Sequence, residues 1–96
     1  MAKAFFTFGN ISLKNSYSGG WVAVQGDITN NSNKDFHTTV FRFSAFDKSV
    51  ILWTGIIKIP GFRKGQTRSF ELTMEGMRQE TASSVARHEI YFEGGY

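Results

Sequence analysis

The sequence contains no cysteine. That excludes disulfides, thiolate zinc sites and cysteine nucleophiles, and it makes stability independent of the redox compartment. There are only two histidines, His37 and His88, far apart along the chain. A zinc centre needs three or four ligands in place, and the adjacent His88–Glu89 pair points to opposite faces of a strand. Long apolar runs are also missing. Nothing approaches the ~20 residues of a membrane helix, so no membrane insertion is expected. The N-terminal MAKAFFTFGNISLKN is interrupted at Thr7, Gly9, Asn10 and Ser12, which leaves no unbroken stretch of the roughly 7–15 apolar residues that an export signal uses. The chain reads as cytoplasmic as it stands, or as a cell-envelope domain if cut from a longer exported protein. Charge of one sign is lacking too. Eleven basic and eight acidic residues leave a net +3, too weak by itself to imply nucleic acid.

Aromatic residues are plentiful: ten phenylalanines, three tyrosines and two tryptophans in 96 residues. Such residues fit a pleated, half-buried surface and argue for sheet. A chain of this length has one core and makes one domain, residues 1–96. Its periodicity is two almost everywhere. Val22, Val24, Gly26 and Ile28 alternate with Ala23, Gln25, Asp27 and Thr29. Phe41, Phe43 and Ala45 alternate with Arg42 and Ser44. Phe70, Leu72 and Met74 alternate with Ser69, Glu71 and Thr73, and His88, Ile90 and Phe92 with Glu89, Tyr91 and Glu93. Antiparallel sheets with one wet face read this way.

Two segments depart from the pattern. Phe6 and Phe8 share one parity and Ile11 and Leu13 the other, a switch that predicts a β-bulge at Gly9–Asn10. VILWTGIIKI, Val50–Ile59, is apolar on both parities, so it is either covered on both sides or carries an exposed patch. Turn signals fall at Asn15–Gly20, Asn30–Asp35, Asp47–Ser49, Pro60–Gly65 and Gly76–Ser84. They divide the chain into six strands of about 5–10 residues, with room for one short helical turn between Met74 and Val85. A single meander would leave one apolar face bare, so two packed antiparallel sheets are expected. Pro60 is expected at a strand end.

Three stretches together carry a resemblance: GDITNNS (Gly26–Ser32), FSAFD (Phe43–Asp47) and IPGFRKGQTRSFEL (Ile59–Leu72). Their order and spacing resemble the FxLYD-type domains, small immunoglobulin-like β-sandwiches of many prokaryotic proteins. The likeness runs from about Trp21 to Leu72. FSAFD has Ala45 where the family has leucine and Phe46 where it has tyrosine, and Lys64–Gly65 stands where Pro-Gly is common. The resemblance implies an immunoglobulin-like antiparallel β-sandwich of six or seven strands, with no catalytic or cofactor residues to carry over. On that reading four residues make structural turns. Gly26 allows close backbone approach, and Asn30 folds its amide back on its own loop. Asp47 closes the Phe46–Ser49 turn, and Gly65 takes a positive φ.

The polar run Asn30–Asp35 invites a metal-site reading, because Asn31, Asn33 and Asp35 have the spacing that opens a calcium loop. Such a loop needs Gly at its sixth position and Glu at its twelfth. Here those positions hold Phe36 and Arg42, and Lys34 adds positive charge. The run therefore reads as a turn. Ser83–Ser84 lack a nucleophile elbow, and neither Gly19–Gly20 nor Gly94–Gly95 has phosphate-loop spacing. The chain reads as a non-enzyme without cofactor or metal.

Three binding classes stay open. A protein partner would use the apolar surplus, with Trp21, Ile51, Trp53 and Ile57 as candidate contacts and an edge strand available for self-association. Single-stranded nucleic acid would use Arg42, Lys58, Arg63, Lys64 and Arg68 around Phe62, although acidic neighbours dilute that charge. A carbohydrate would need exposed rings on a sheet face, for which Trp21 and Tyr91 are the candidates.

Overall fold

The structure, a computed structural model, describes residues 5–15 and 20–96. The chain runs β1 (Phe6–Asn15), β2 (Val22–Asn30), β3 (Phe36–Asp47), β4 (Val50–Phe62), β5 (Thr67–Met74), α1 (Gln79–Ala82) and β6 (Arg87–Gly95). All strand pairings are antiparallel. They form two sheets of three strands, ordered β1-β2-β5 and β4-β3-β6. No helix among the described residues is long and apolar enough to cross a membrane.

One core joins the sheets. Val22, Val24, Ile28, Phe70 and Met74 enter it from the first sheet, and Phe41, Phe43, Ala45, Ile57, Ile59 and Phe62 from the second. Phe6 lies among rings, 5.0 Å edge-on from Phe41 and 4.7 Å stacked on Phe92. Offset and edge-on contacts of this kind add to burial alone. Met77, Ala82 and Val85 of the α1 segment close one end against the same core.

The parity switch in β1 has a geometric cause. Gly9 pairs with Asp27 and Ser12 with Gln25, so Asn10 and Ile11 together stand opposite Gly26. Asn10 takes φ 55°, a conformation its short polar side chain tolerates. A Cβ on Gly26 would sit 2.4 Å from Ile11 Cδ1 and 3.1 Å from the Gly9 carbonyl oxygen. Glycine at 26 is what lets the bulge lie on β2.

The β3–β4 hairpin is longer than the periodicity suggests, because β4 continues through Pro60 to Phe62. Pro60 lies inside the strand, not at its end. It is tolerated there because β4 is an edge strand with no ladder on its far side. Gly61 then takes φ 60° and turns Phe62 into the core. The two-residue turn after Asp47 also differs from expectation. Its positive φ, 57°, falls on Lys48, and no side-chain hydrogen bond of Asp47 is found among the described residues. The expected Asn15–Gly20 turn lies, over 16–19, outside the described residues.

Candidate protein-interaction surface

The surplus of VILWTGIIKI is sorted by a second bulge. Ala45 pairs with Trp53 and Phe46 with Ile51, leaving Leu52 as the extra residue in β4. The extra residue flips parity. Ile57 and Ile59 point into the core, whereas Ile51 and Ile56 point out. Ile57, expected as a contact, is therefore a core residue. It shared sequence parity with Ile51, and no local pattern reveals a bulge inside a continuous apolar run.

The outer face of β4-β3-β6 is read off its register. Ile51, Phe46 and Arg87 form one row, Thr54, Ser44 and Glu89 a second, and Ile56, Arg42 and Tyr91 a third. Val40 and Lys58 continue the face. Ile51 is 52% exposed, Ile56 40% and Tyr91 49%. Phe46 is half-buried beneath the Arg87 guanidinium, 4.0 Å from its ring. Arg42 Nε donates to Glu93 Oε2 at 2.9 Å, and that hydrogen bond pushes the guanidinium further above its ordinary pKa. The face thus carries apolar side chains in two rows, Ile51–Phe46 and Ile56–Tyr91, separated by the polar row Thr54–Ser44–Glu89, with Arg42 paired to Glu93 and Arg87 to Glu89.

The tryptophans sit elsewhere. Trp53 is half-buried and packs on the core, and its Nε1–H donates to the Glu75 carbonyl at 3.0 Å. Its ring lies along β4 over Gly55, where a Cβ would come within 2.3 Å of the indole. Trp21 precedes Val22, the partner of Met74, with the Arg78 guanidinium 5.1 Å from its ring. Both indoles mark the end of the molecule near Glu75. The four expected contacts do not form one patch: Ile51 is on the outer face, Trp21 and Trp53 are at that end, and Ile57 is inside.

The basic residues are likewise divided. Arg42 and Lys58 are on the outer face. Arg63 and Lys64 occupy the β4–β5 turn, where Gly65 takes φ 78°. Arg68 lies on β5, and its Nη1 donates to the Pro60 carbonyl at 3.0 Å. The two histidines stack separately, His37 on Tyr96 and His88 on Phe43. Among the described residues, no three His, Asp or Glu side chains converge.

The polar run resolves into a knot around Asn30, which is fully buried. Asn30 Oδ1 accepts from the Ser32 N–H at 3.0 Å, an Asx turn, and from the Ser32 hydroxyl at 2.6 Å. Its amide donates to the carbonyls of Lys34 and Phe62 at 3.0 and 3.3 Å. Asn31 donates to Thr7, and Asp35 Oδ1 accepts from the Lys64 N–H at 2.9 Å. Asn30 and Ser32 thus bond mainly within the run, and Asn30, Asn31 and Asp35 tie it to β4, β1 and the β4–β5 turn.

Beside the knot, Phe5, Phe6, Phe36 and Phe92 line an open pocket of about 370 Å³ with Lys34 at its rim. Sequence reasoning missed this pocket. Its rings come from both ends of the chain and the middle, so only the sheet pairing assembles them.

No family model matches the chain, and no curated protein and no solved structure matches it.

Proposed function

We propose that this chain is a non-catalytic, immunoglobulin-like β-sandwich of the FxLYD type, and that it binds another protein through the outer face of β4-β3-β6. The strand order supports the fold reading. β1-β2-β5 and β4-β3-β6 correspond to strands A-B-E and C′-C-F of an immunoglobulin sandwich. The observation that carries the function is the exposure of Ile51, Ile56 and Tyr91 on one sheet face. Apolar and aromatic side chains gathered there, with charges held in pairs around them, are what contact surfaces offer.

The test is capture by the immobilised domain at low and at high salt, with Ile51→Asp/Ile56→Asp as control. Both side chains are exposed, so the double variant keeps its core. A protein retained at both salts and lost with the variant supports the reading. Capture unaffected by the variant overturns it. Nucleic acid retained at low salt alone would transfer the function to Lys58, Arg63, Lys64 and Arg68.

A further inference from the structure

The inward side of β6 is unfinished. His88, Ile90 and Phe92 pair with Ala45, Phe43 and Phe41 of β3, each fully buried. Yet His88 is exposed, Ile90 is half-buried and Phe92 is 37% exposed. Among the described residues no strand lies on the far side of β6.

Edge strands usually carry devices that block further pairing, such as bulges, proline or lysine. β1 has the Asn10–Ile11 bulge and Lys14. β4 has Lys58, Pro60 and the turned Gly61, and Arg68 occupies the Pro60 and Gly61 carbonyls. β5 lies alongside β4. β6 has a bulge late in the strand, where Phe41 pairs with Phe92 and Val40 with Gly94 and Glu93 is the extra residue; from Arg87 to Phe92 its ladder is unbroken and has none of these devices.

Its sequence, RHEIYFE, is also complementary to itself. In an antiparallel pair, residues directly opposite share a face, so an inward residue must meet an inward residue. Within the unbroken stretch Arg87–Phe92, two such registers give the longest overlap. Centring on Glu89 sets Glu89 against its own copy. Centring on Ile90 sets His88 against Phe92 and Glu89 against Tyr91. Like charges directly opposite are unfavourable, whereas opposite charges and paired rings are favourable. Of the two, only the Ile90 register opposes no two carboxylates.

We propose that β6 pairs with β6 of a second copy, antiparallel and centred on Ile90. The two β4-β3-β6 sheets then become one sheet of six strands, and the half-covered Ile90 and Phe92 gain neighbours across the two-fold axis. The proposal rests on the reading of this sheet as an interaction surface, which the pairing presents twice.

The test combines sedimentation with register-specific cross-linking, for which the cysteine-free chain is suited. Sedimentation from micromolar to millimolar concentration should show a monomer–dimer equilibrium. Glu89→Cys mixed with Tyr91→Cys should oxidise to the mixed disulfide. Glu89→Cys alone should not, because its copies lie at a diagonal too long for a bridge. Tyr91→Glu opposes two pairs of like charge, each with Glu89 of the other copy, and should weaken the dimer roughly 2- to 30-fold. A monomer throughout, or a dimer bridged by Ile51→Cys and not by the 89–91 pair, overturns the pairing. A monomer that still captures a partner through Ile51 and Ile56 leaves the proposed function intact. A dimer that captures none upholds the pairing and removes that function.

Discussion

Asn30→Ala tests whether the polar knot holds this end of the molecule. The wild-type amide fills the space between the β2–β3 loop, the end of β4 and the β4–β5 turn. Its own backbone adds to the knot: the Asn30 N–H donates to Gln66, and its carbonyl accepts from the Gly65 N–H at 2.7 Å. Alanine keeps those two bonds and removes the side-chain ones. The Phe62 carbonyl then loses its amide donor in a buried site, at about 1–3 kcal/mol. The bonds to Ser32 and Lys34 are only partly buried, so water replaces them at about 0.5–1 kcal/mol each. The sum over these four bonds is about 2.5–6 kcal/mol, or a fall in Tm on the order of 10–50 °C for a domain of this size. Urea unfolding followed by circular dichroism measures it. Asn30→Asp sharpens the test, because a carboxylate turns its oxygens on two carbonyls where the amide donated. At neutral pH it should be less stable than Asn30→Ala. Burial raises its folded pKa above the unfolded value, so it should recover as pH falls toward about 4 and the acid becomes a donor. An Asn30→Ala loss below about 1 kcal/mol would show the knot to be ornamental to stability.

Two further outcomes follow from the β1 bulge. Gly26→Ala should cost about 1–3 kcal/mol, because Ile11 and the Gly9 carbonyl must both give way; an unchanged urea midpoint would refute the seating of the bulge on that glycine. Asp27 accepts from Asn10 Nδ2 and Ser69 Oγ, both at 2.9 Å, and these bonds, Asn10 first, lower its pKa from the ordinary 3.8. A depressed folded pKa means that the contribution of this carboxylate is present above the unfolded value and is lost as pH falls through the folded one. Carboxyl NMR titration should place Asp27 below the ordinary range and show Asn10→Ala moving it upward.

Local pattern alone was enough for much of the fold. Period-two alternation marked the strands, because a strand with one buried face must alternate. The change of parity in β1 marked its bulge, and the polar run after Asn30 read correctly as a turn, because its side chains satisfy backbone groups nearby. What lay beyond local pattern was every choice that depends on a distant partner. Val50–Ile59 was apolar on both parities, and only pairing with β3 placed the extra Leu52, sending Ile57 inward and Ile51 out. Trp53 was drawn off the surface by the Glu75 carbonyl, 22 residues away in sequence. Phe5, Phe6, Phe36 and Phe92 became one pocket only when both ends of the chain met β3. Sequence determined which residues alternate and where the chain turns, because those are properties of neighbouring residues. Tertiary structure decided which face of each strand is wet and which edge stands open, because those depend on what lies opposite.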